Sequence, residues 1–351
     1  MANAGRAAGL VGAAVGVIAA GAAAGVAVER QLIGRRASQR AQLEAEPFGS
    51  VRGTPHVFRA DDGVELYVET DDVGEGDQPR LTVIFAHGYA LNLDCWHFQR
   101  KALRGVGKLV FYDQRSHGRS GRSPKDSVSI DQLGRDLRGI LDEFAPEGPV
   151  VLIGHSMGGM TIMAMADQHP ELFGDRIIGT GLVSTSAGDL DRDAIVLPGL
   201  AGRIVRRYAT PTLNLLARVP DVVESGRKAG TDISYLLTRM YSFGSMVPSS
   251  YTEFVNAMIA GTPISVIADF YPIFALHDKY DALQALQKTE CLVICGDDDH
   301  LTPFRHAEEI VRHVPGAELV RVDACGHIGF LEHHDLFTES LRHMIEGAQR
   351  R

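Results

Sequence analysis

The sequence predicts an α/β protein with a mostly parallel, doubly wound sheet and an inserted helical cap. Three observations predict it. Short apolar runs recur along the chain, each closed by glycine or polar residues, as strands buried on both faces require. Helical patterns separate these runs, so the parallel strands must be joined by right-handed crossovers. One stretch, residues 187–286, breaks the alternation. It has no clear buried run, its apolar spacing is helical, and Pro198, Pro211, Pro220, Pro248 and Pro263 interrupt it.

The elements follow in order. Residues 56–59 and 64–69 flank Asp61-Asp62-Gly63, a turn signal between two short strands. Residues 81–85, 109–112, 150–153, 177–183, 291–295 and 319–322 are the apolar runs. In residues 130–144, Ile130, Leu133, Leu137, Ile140, Leu141 and Phe144 share one helical face. Ser129 caps that helix, and Gln132 is placed to complete a capping box. Another helix is expected over 160–169. The core is therefore assigned to residues 54–186 and 287–351, and the cap to 187–286. In such a sheet, ligands bind beyond the carboxyl ends of the strands.

The chain has 351 residues, 45% apolar and 23% charged, which suits one large α/β domain or two small ones. A net charge of -9 argues against nucleic acid as a partner, because phosphate binding needs a basic face. Cys291 and Cys295 lie on one expected strand, about 13 Å apart, beyond the roughly 7 Å a disulfide tolerates. Neither they nor Cys95 and Cys325 have CxxC spacing, so free, mostly buried thiols are expected.

Residues 7–28 carry no charge and would span about 33 Å as a helix, enough to cross a bilayer. Gly12 and Gly16, then Gly21 and Gly25, have the small-xxx-small spacing of packed membrane helices. Arg30, Arg35, Arg36 and Arg40 follow the run and only Arg6 precedes it, which places the remainder in the cytoplasm. The expectation is a cell-membrane protein with a single-pass anchor in residues 1–30, then a charged linker over 31–53. A secretory signal cleaved near Ala22-Ala23-Ala24, with secretion of the rest, is the rival reading, and a poorly ordered tail is the third.

Gly154-His155-Ser156-Met157-Gly158 is a G-x-S-x-G turn between an expected strand and an expected helix, the context in which such a serine is a nucleophile. The helix start puts backbone N–H groups beside developing negative charge. A second donor should come from the loop at His87-Gly88-Tyr89, so the backbone N–H groups of Tyr89 and Met157 are the candidate oxyanion hole. His87 either braces this loop or touches substrate, and His155 reads as a packing or orienting residue.

A serine nucleophile needs a base, and the base an orienting carboxylate. Asp297, Asp298 and Asp299 follow one expected strand and His327 follows another, in the chain order Ser, Asp, His. Composition does not choose among the three aspartates, which with His300 also suit a solvated acidic loop or a weak cation site. His333 and His334 read as surface residues of a later helix.

These motifs carry a resemblance. From about Thr54 to Gln349 the chain resembles the α/β-hydrolase superfamily, near its esterase, monoacylglycerol-lipase-like and cofactor-free haloperoxidase-like branches. The likeness rests on His87-Gly88, on Asp113-Gln114-Arg115-Ser116-His117-Gly118-Arg119-Ser120, on the serine turn and on two late motifs. It implies the α/β-hydrolase fold. In that family the acid stands three residues after a glycine and four before a proline, so Gly296 and Pro303 select Asp299. The family's GHxxxLE pattern matches Gly326-His327 and Leu331-Glu332 and selects His327. Ser116 departs from the family, which usually has glycine there. Ser156 in place of aspartate argues against epoxide hydrolases and haloalkane dehalogenases.

The functional expectation is a serine hydrolase that cleaves a carboxylic ester, lipid-like esters included, through an acyl-enzyme on Ser156. It needs no cofactor and no metal. Tyr241, Phe243, Met246 and Phe274 in the aromatic cap are the candidate substrate contacts, with His87 from the core. The alternatives are a thioesterase or perhydrolase with the same triad, a non-catalytic binding protein on this fold, and a membrane-tethered interaction protein.

Overall fold

The computed structural model describes residues 46–72, 81–190 and 231–350. Among them, eight strands form one sheet: β1 (Thr54–Arg59), β2 (Glu65–Asp71), β3 (Thr82–Ala86), β4 (Lys108–Tyr112), β5 (Val150–His155), β6 (Ile177–Val183), β7 (Glu290–Gly296) and β8 (Glu318–Val322). The order across the sheet is β1-β2-β4-β3-β5-β6-β7-β8. β2 is antiparallel to both its neighbours, and every later pair is parallel. The helices are α1 (His97–Leu103), α2 (Ile130–Phe144), α3 (Met157–Gln168), α4 (Thr231–Ser242), α5 (Ser249–Gly261), α6 (Ile264–Phe270), α7 (Leu283–Leu286), α8 (Arg305–His313), α9 (Gly329–Glu332) and α10 (His334–Gln349).

The pleat explains the apolar runs. Ile84, Val110, Leu152 and Val293 point to one face of the sheet, where they meet Leu137 and Ile140 of α2 and Ile162 of α3. Their chain neighbours Val83, Phe111, Ile153 and Ile294 point to the other, against Trp96, Phe330 and Leu341 of α10. Both faces are covered, so alternate residues are equally apolar. Each such buried side chain contributes about 1.5–3 kcal/mol. β8 is the exception to the expected burial. It is the sheet edge, and of its residues only Val322 is buried while Leu319 is 37% exposed.

The expected hairpin forms between β1 and β2, with Gly63 in the left-handed region at φ 85°. Ser129 caps α2 by accepting the Gln132 N–H at 3.0 Å. The capping box is not completed, because the Gln132 amide oxygen accepts from Arg135 instead, while its N–H₂ donates to Asp61 and Asp136. The loop after β4 buries Arg115, whose guanidinium joins Asp62 of the hairpin turn to Asp136 of α2. Ser116 has φ 66°, which explains why glycine is usual there. Its hydroxyl accepts the Ser123 N–H at 2.9 Å and so gives the serine a compensating bond.

The cap leaves the core through a closed neck. The Lys279 N–H donates to the Ala187 carbonyl at 2.7 Å, and the His277 ring donates to the Ser186 carbonyl at 2.9 Å. Beyond this neck, Ala282, Leu283 and Leu286 pack with the sheet, so the chain returns to the core before the expected boundary at 286. The expected linker is also shorter than 31–53. Phe48 stacks on Phe254 of α5 at 4.7 Å and meets Tyr251 edge-on at 5.0 Å, which seats this segment on the cap.

All four cysteines are free and buried. The expected anchor over 7–28 lies outside the described residues. Among those residues, no single helix is long and apolar enough to cross a membrane, and one pair bent by 83° meets the length and composition test only jointly.

Candidate active site

β5 ends at His155 and α3 begins at Met157, so Ser156 makes the turn between them alone. It does so at φ 51° and ψ -116°, a conformation that costs a side-chain-bearing residue about 1–3 kcal/mol. Surrounding bonds hold it there. The Ser156 N–H donates to the Val183 carbonyl at 2.9 Å, and the Ser156 carbonyl accepts from the Gly159 N–H at 2.9 Å and the Thr185 hydroxyl at 2.7 Å. The glycines of the motif permit close approach. A Cβ on Gly158 would land on the Ala86 carbonyl of β3, and one on Gly154 would land on the Gly158 carbonyl. Gly158→Ala should therefore push α3 off β3 and lower kcat by about 100-fold, the cost of roughly 1 Å of misplacement. Steady-state kinetics on a soluble ester checks this, and a loss below fivefold would show that the turn tolerates the methyl group.

Gly88 lies against the serine: a Cβ there would come within 3.2 Å of Ser156 Cβ and 2.6 Å of His155 Nδ1. This brings the loop after β3 beside the start of α3. Among the described residues, neither the Tyr89 nor the Met157 backbone N–H donates to a protein acceptor, as groups reserved for an oxyanion should not. The Tyr89 hydroxyl donates to the Ile267 carbonyl of α6 at 2.5 Å and links this loop to the cap.

The structure corrects the assignment of His87 to substrate. Its side chain is fully buried and absent from the cavity wall. Nδ1–H donates to the Gly88 carbonyl at 2.7 Å, and Nε2 accepts the Gln114 N–H at 2.9 Å. Burial, then the neighbouring His117, pushes its pKa down to about 3, so the ring is a neutral brace under the loop.

Of the three adjacent aspartates, Asp299 is buried, Asp297 is half-buried beside Arg321 and Asp298 is exposed. Asp299 Oδ2 accepts from His327 Nδ1 at 2.8 Å. Its Oδ1 accepts the Leu301 and Thr302 N–H groups, both at 2.9 Å, and the Thr302 hydroxyl donates to Oδ2 at 2.9 Å. Burial alone would raise the Asp299 carboxyl. The adjacent His327 and these hydrogen bonds outweigh it and hold the group below the ordinary carboxylate value. The sequence reading did not single out Thr302, although Asp-x-x-Thr ahead of a proline is the spacing of a side chain folding back on its own backbone.

His155 has an orienting place. Its Nε2–H donates to the His327 carbonyl at 3.0 Å, and its ring lies 4.7 Å from both the His327 and Phe330 rings. Burial, and then His327, keeps it well below its ordinary pKa and therefore neutral.

Ser156, His155 and His327 open onto one cavity of about 390 Å³. Among the described residues no hydrogen bond joins Ser156 to His327; in such sites this contact is commonly loose before substrate arrives. Leu91, Met160, Leu190, Ile259 and Ile328 make the wall apolar, and no Asp, Glu, Lys or Arg is among its described residues. Phe274 lines it, joined by Tyr271 and Ser242. Tyr241, Phe243 and Met246 do not. Successive helical residues point about 100° apart, so with Ser242 facing the cavity its helical neighbour Tyr241, half-buried, is off that wall; Phe243, just past the helix, packs into the core, and Met246 is 68% exposed.

Known proteins resemble this chain. The model of the alpha/beta hydrolase family matches residues 83–339. An AB hydrolase superfamily protein of Bacillus subtilis is 25% identical over 280 residues, covering 79% of this chain and 94% of that protein. A monoacylglycerol lipase of Mycolicibacterium smegmatis is 24% identical, over 76% of this chain and 94% of that one. Among solved structures, an esterase from Exiguobacterium antarcticum superposes with a TM-score of 0.65 at 20% identity, covering 84% of this chain and 99% of that chain. A bromoperoxidase from Bacillus anthracis gives 0.66 at 19% identity, covering 83% and 99%. With the family model spanning most of its length, from the first parallel strand to the last helix, the chain belongs to the alpha/beta hydrolase family.

Proposed function

We propose that this protein is a serine hydrolase that cleaves carboxylic esters bearing a neutral, apolar acyl group through an acyl-enzyme on Ser156. The observation that carries the proposal is that His327, paired with Asp299, opens with Ser156 onto a cavity whose described wall residues include no Asp, Glu, Lys or Arg. Ester hydrolysis is also what the names of the lipase and esterase relatives describe.

The geometry supports the following sequence. With Nδ1–H given to Asp299, His327 Nε2 is the free base. It takes the Ser156 proton as Oγ bonds to the acyl carbon, and the oxyanion turns toward the Tyr89 and Met157 N–H groups. The ester C–O bond breaks as His327 returns the proton to the departing alkoxide. Water, deprotonated by His327, then releases the acid and restores Ser156. No step requires a cofactor.

Two measurements test this together. A fluorophosphonate probe should add once to the wild-type protein and not to Ser156→Ala, read by intact mass. p-Nitrophenyl butyrate should then be hydrolysed about tenfold faster than the p-nitrophenyl hemisuccinate, because no cation stands among the described wall residues to offset the desolvation of a buried carboxylate. A folded wild-type protein that takes no adduct would move a non-catalytic binding role to first place. Thioester turnover with no ester turnover would replace the ester reading by a thioesterase.

A further inference from the structure

We infer that Glu332 is a positioning residue that fastens the His327 loop to the cap, so that the cap helps set where the base stands. The inference rests on the reading of His327 as that base.

The Glu332 carboxylate receives three backbone N–H groups from two segments far apart in sequence. Oε2 accepts from Gly326 at 2.7 Å and from Gly244 at 3.1 Å, and Oε1 accepts from Ser245. Gly326 immediately precedes His327, whereas Gly244 and Ser245 follow the cap helix α4. On the other side of the base, the Ile328 N–H donates to the carbonyl of Ser242, the last residue of α4 and part of the cavity wall, at 2.8 Å. Cap residues therefore hold the backbone on both sides of His327, while Asp299 holds its ring and His155 its carbonyl.

The two segments touch backbone to backbone. A Cβ on Gly244 would come within 2.8 Å of the Cys325 main chain, and one on Gly326 within 2.7 Å of the Phe243 main chain. No side chain separates them, so a shift of one is passed to the other. A carboxylate suits the junction because it only accepts, and it has enough lone pairs for three converging donors.

The same neighbourhood brings Cys325, Glu332 and His333 ligand atoms within 4.8 Å of one another. These groups are committed elsewhere. The Glu332 oxygens face N–H donors, His333 Nε2 bonds the Ala324 carbonyl at 3.3 Å, and burial pushes the Cys325 thiol well up. The cluster is a hydrogen-bonded joint, not a cation site.

The test compares wild type with Glu332→Gln, whose amide turns an N–H₂ toward at least one of the backbone donors. The full chain is assayed with p-nitrophenyl acetate, with the fluorophosphonate labelling rate and thermal melting measured in parallel. The expected result is a kcat and a labelling rate both lower by about 10–100-fold, in the range of a misplacement near 1 Å, with KM within threefold and a cooperative melt retained. Glu339→Gln, an exposed carboxylate on α10, should leave all of these unchanged. Wild-type kcat and labelling in folded Glu332→Gln would overturn the inference. If that variant does not fold, Gly244→Ala disturbs the same joint from the cap side and keeps the carboxylate. Loss of labelling in it supports the inference, and a wild-type rate overturns it. A wild-type protein that neither labels nor turns over is a different result: it removes the serine-hydrolase reading itself, and this inference with it.

Discussion

Asp299→Asn is expected to lower kcat by about 10⁴-fold while the protein stays folded. The direction follows from which atom each partner requires. The Leu301 and Thr302 N–H groups both donate to Oδ1, so the amide oxygen of an asparagine would settle there. Its N–H₂ then falls at the Oδ2 position and points at His327 Nδ1. Nδ1 is forced to accept, the proton moves to Nε2, and the ring presents a donor to Ser156 where the proposed reaction needs a base. Stability should report the same group. Because the folded carboxyl is held below its ordinary value, its contribution is present above about pH 4 and is lost as pH falls through the depressed value. The stability gap between wild type and Asp299→Asn should therefore be widest near neutrality and narrow in acid. A kcat loss below tenfold on a p-nitrophenyl ester would remove Asp299 from the proposed triad.

Arg115→Met is expected to be the most damaging change away from the cavity, costing about 3–5 kcal/mol of stability. The Arg115 side chain is wholly buried and meets Asp136 through two bonds of 2.6 Å. It also bonds Asp62 at 2.7 and 3.2 Å and the Ser123 hydroxyl at 3.1 Å. Asp62 is 24% exposed and can return to water, but Asp136 is 2% exposed and cannot. Burial already pushes the Asp136 carboxyl upward with the arginine present, so removing the arginine strands a charge. The double variant Arg115→Met/Asp136→Leu should recover most of the loss, since no buried charge is then left unpaired. Urea denaturation monitored by fluorescence separates the cases. A loss under about 1 kcal/mol in the single variant would mean that water reaches Asp136.

The sheet and the serine turn were legible in the sequence because both depend on local chemistry. A strand covered on two faces must be apolar at every position, and a turn that sharp leaves no room for a Cβ at Gly154 or Gly158. The choice among Asp297, Asp298 and Asp299 was legible only through the family resemblance, since composition is the same at all three and burial separates them. The cap was the least legible part. Its aromatic residues look like a pocket in one dimension, yet Tyr251 meets the Phe48 segment, Phe243 enters the core and the small Ser242 takes the place on the wall. The joint at Glu332 spans residues more than eighty apart, and no local pattern announces it.

The closed neck at Ser186–Ala187 and His277–Lys279 bears on how such a protein can change over generations. The ends of the excursion are already pinned together by main-chain and ring hydrogen bonds, so its length is nearly free in loop-closure entropy: doubling it costs about 0.6 kcal/mol. Insertions and deletions beyond the neck leave the strand register and the Asp299–His327 pair in place. On the proposed function, the preference for one acyl group over another can therefore drift by whole segments while the chemistry stays put, so long as the short stretch from Ser242 to Ser245 keeps its hold on the His327 loop.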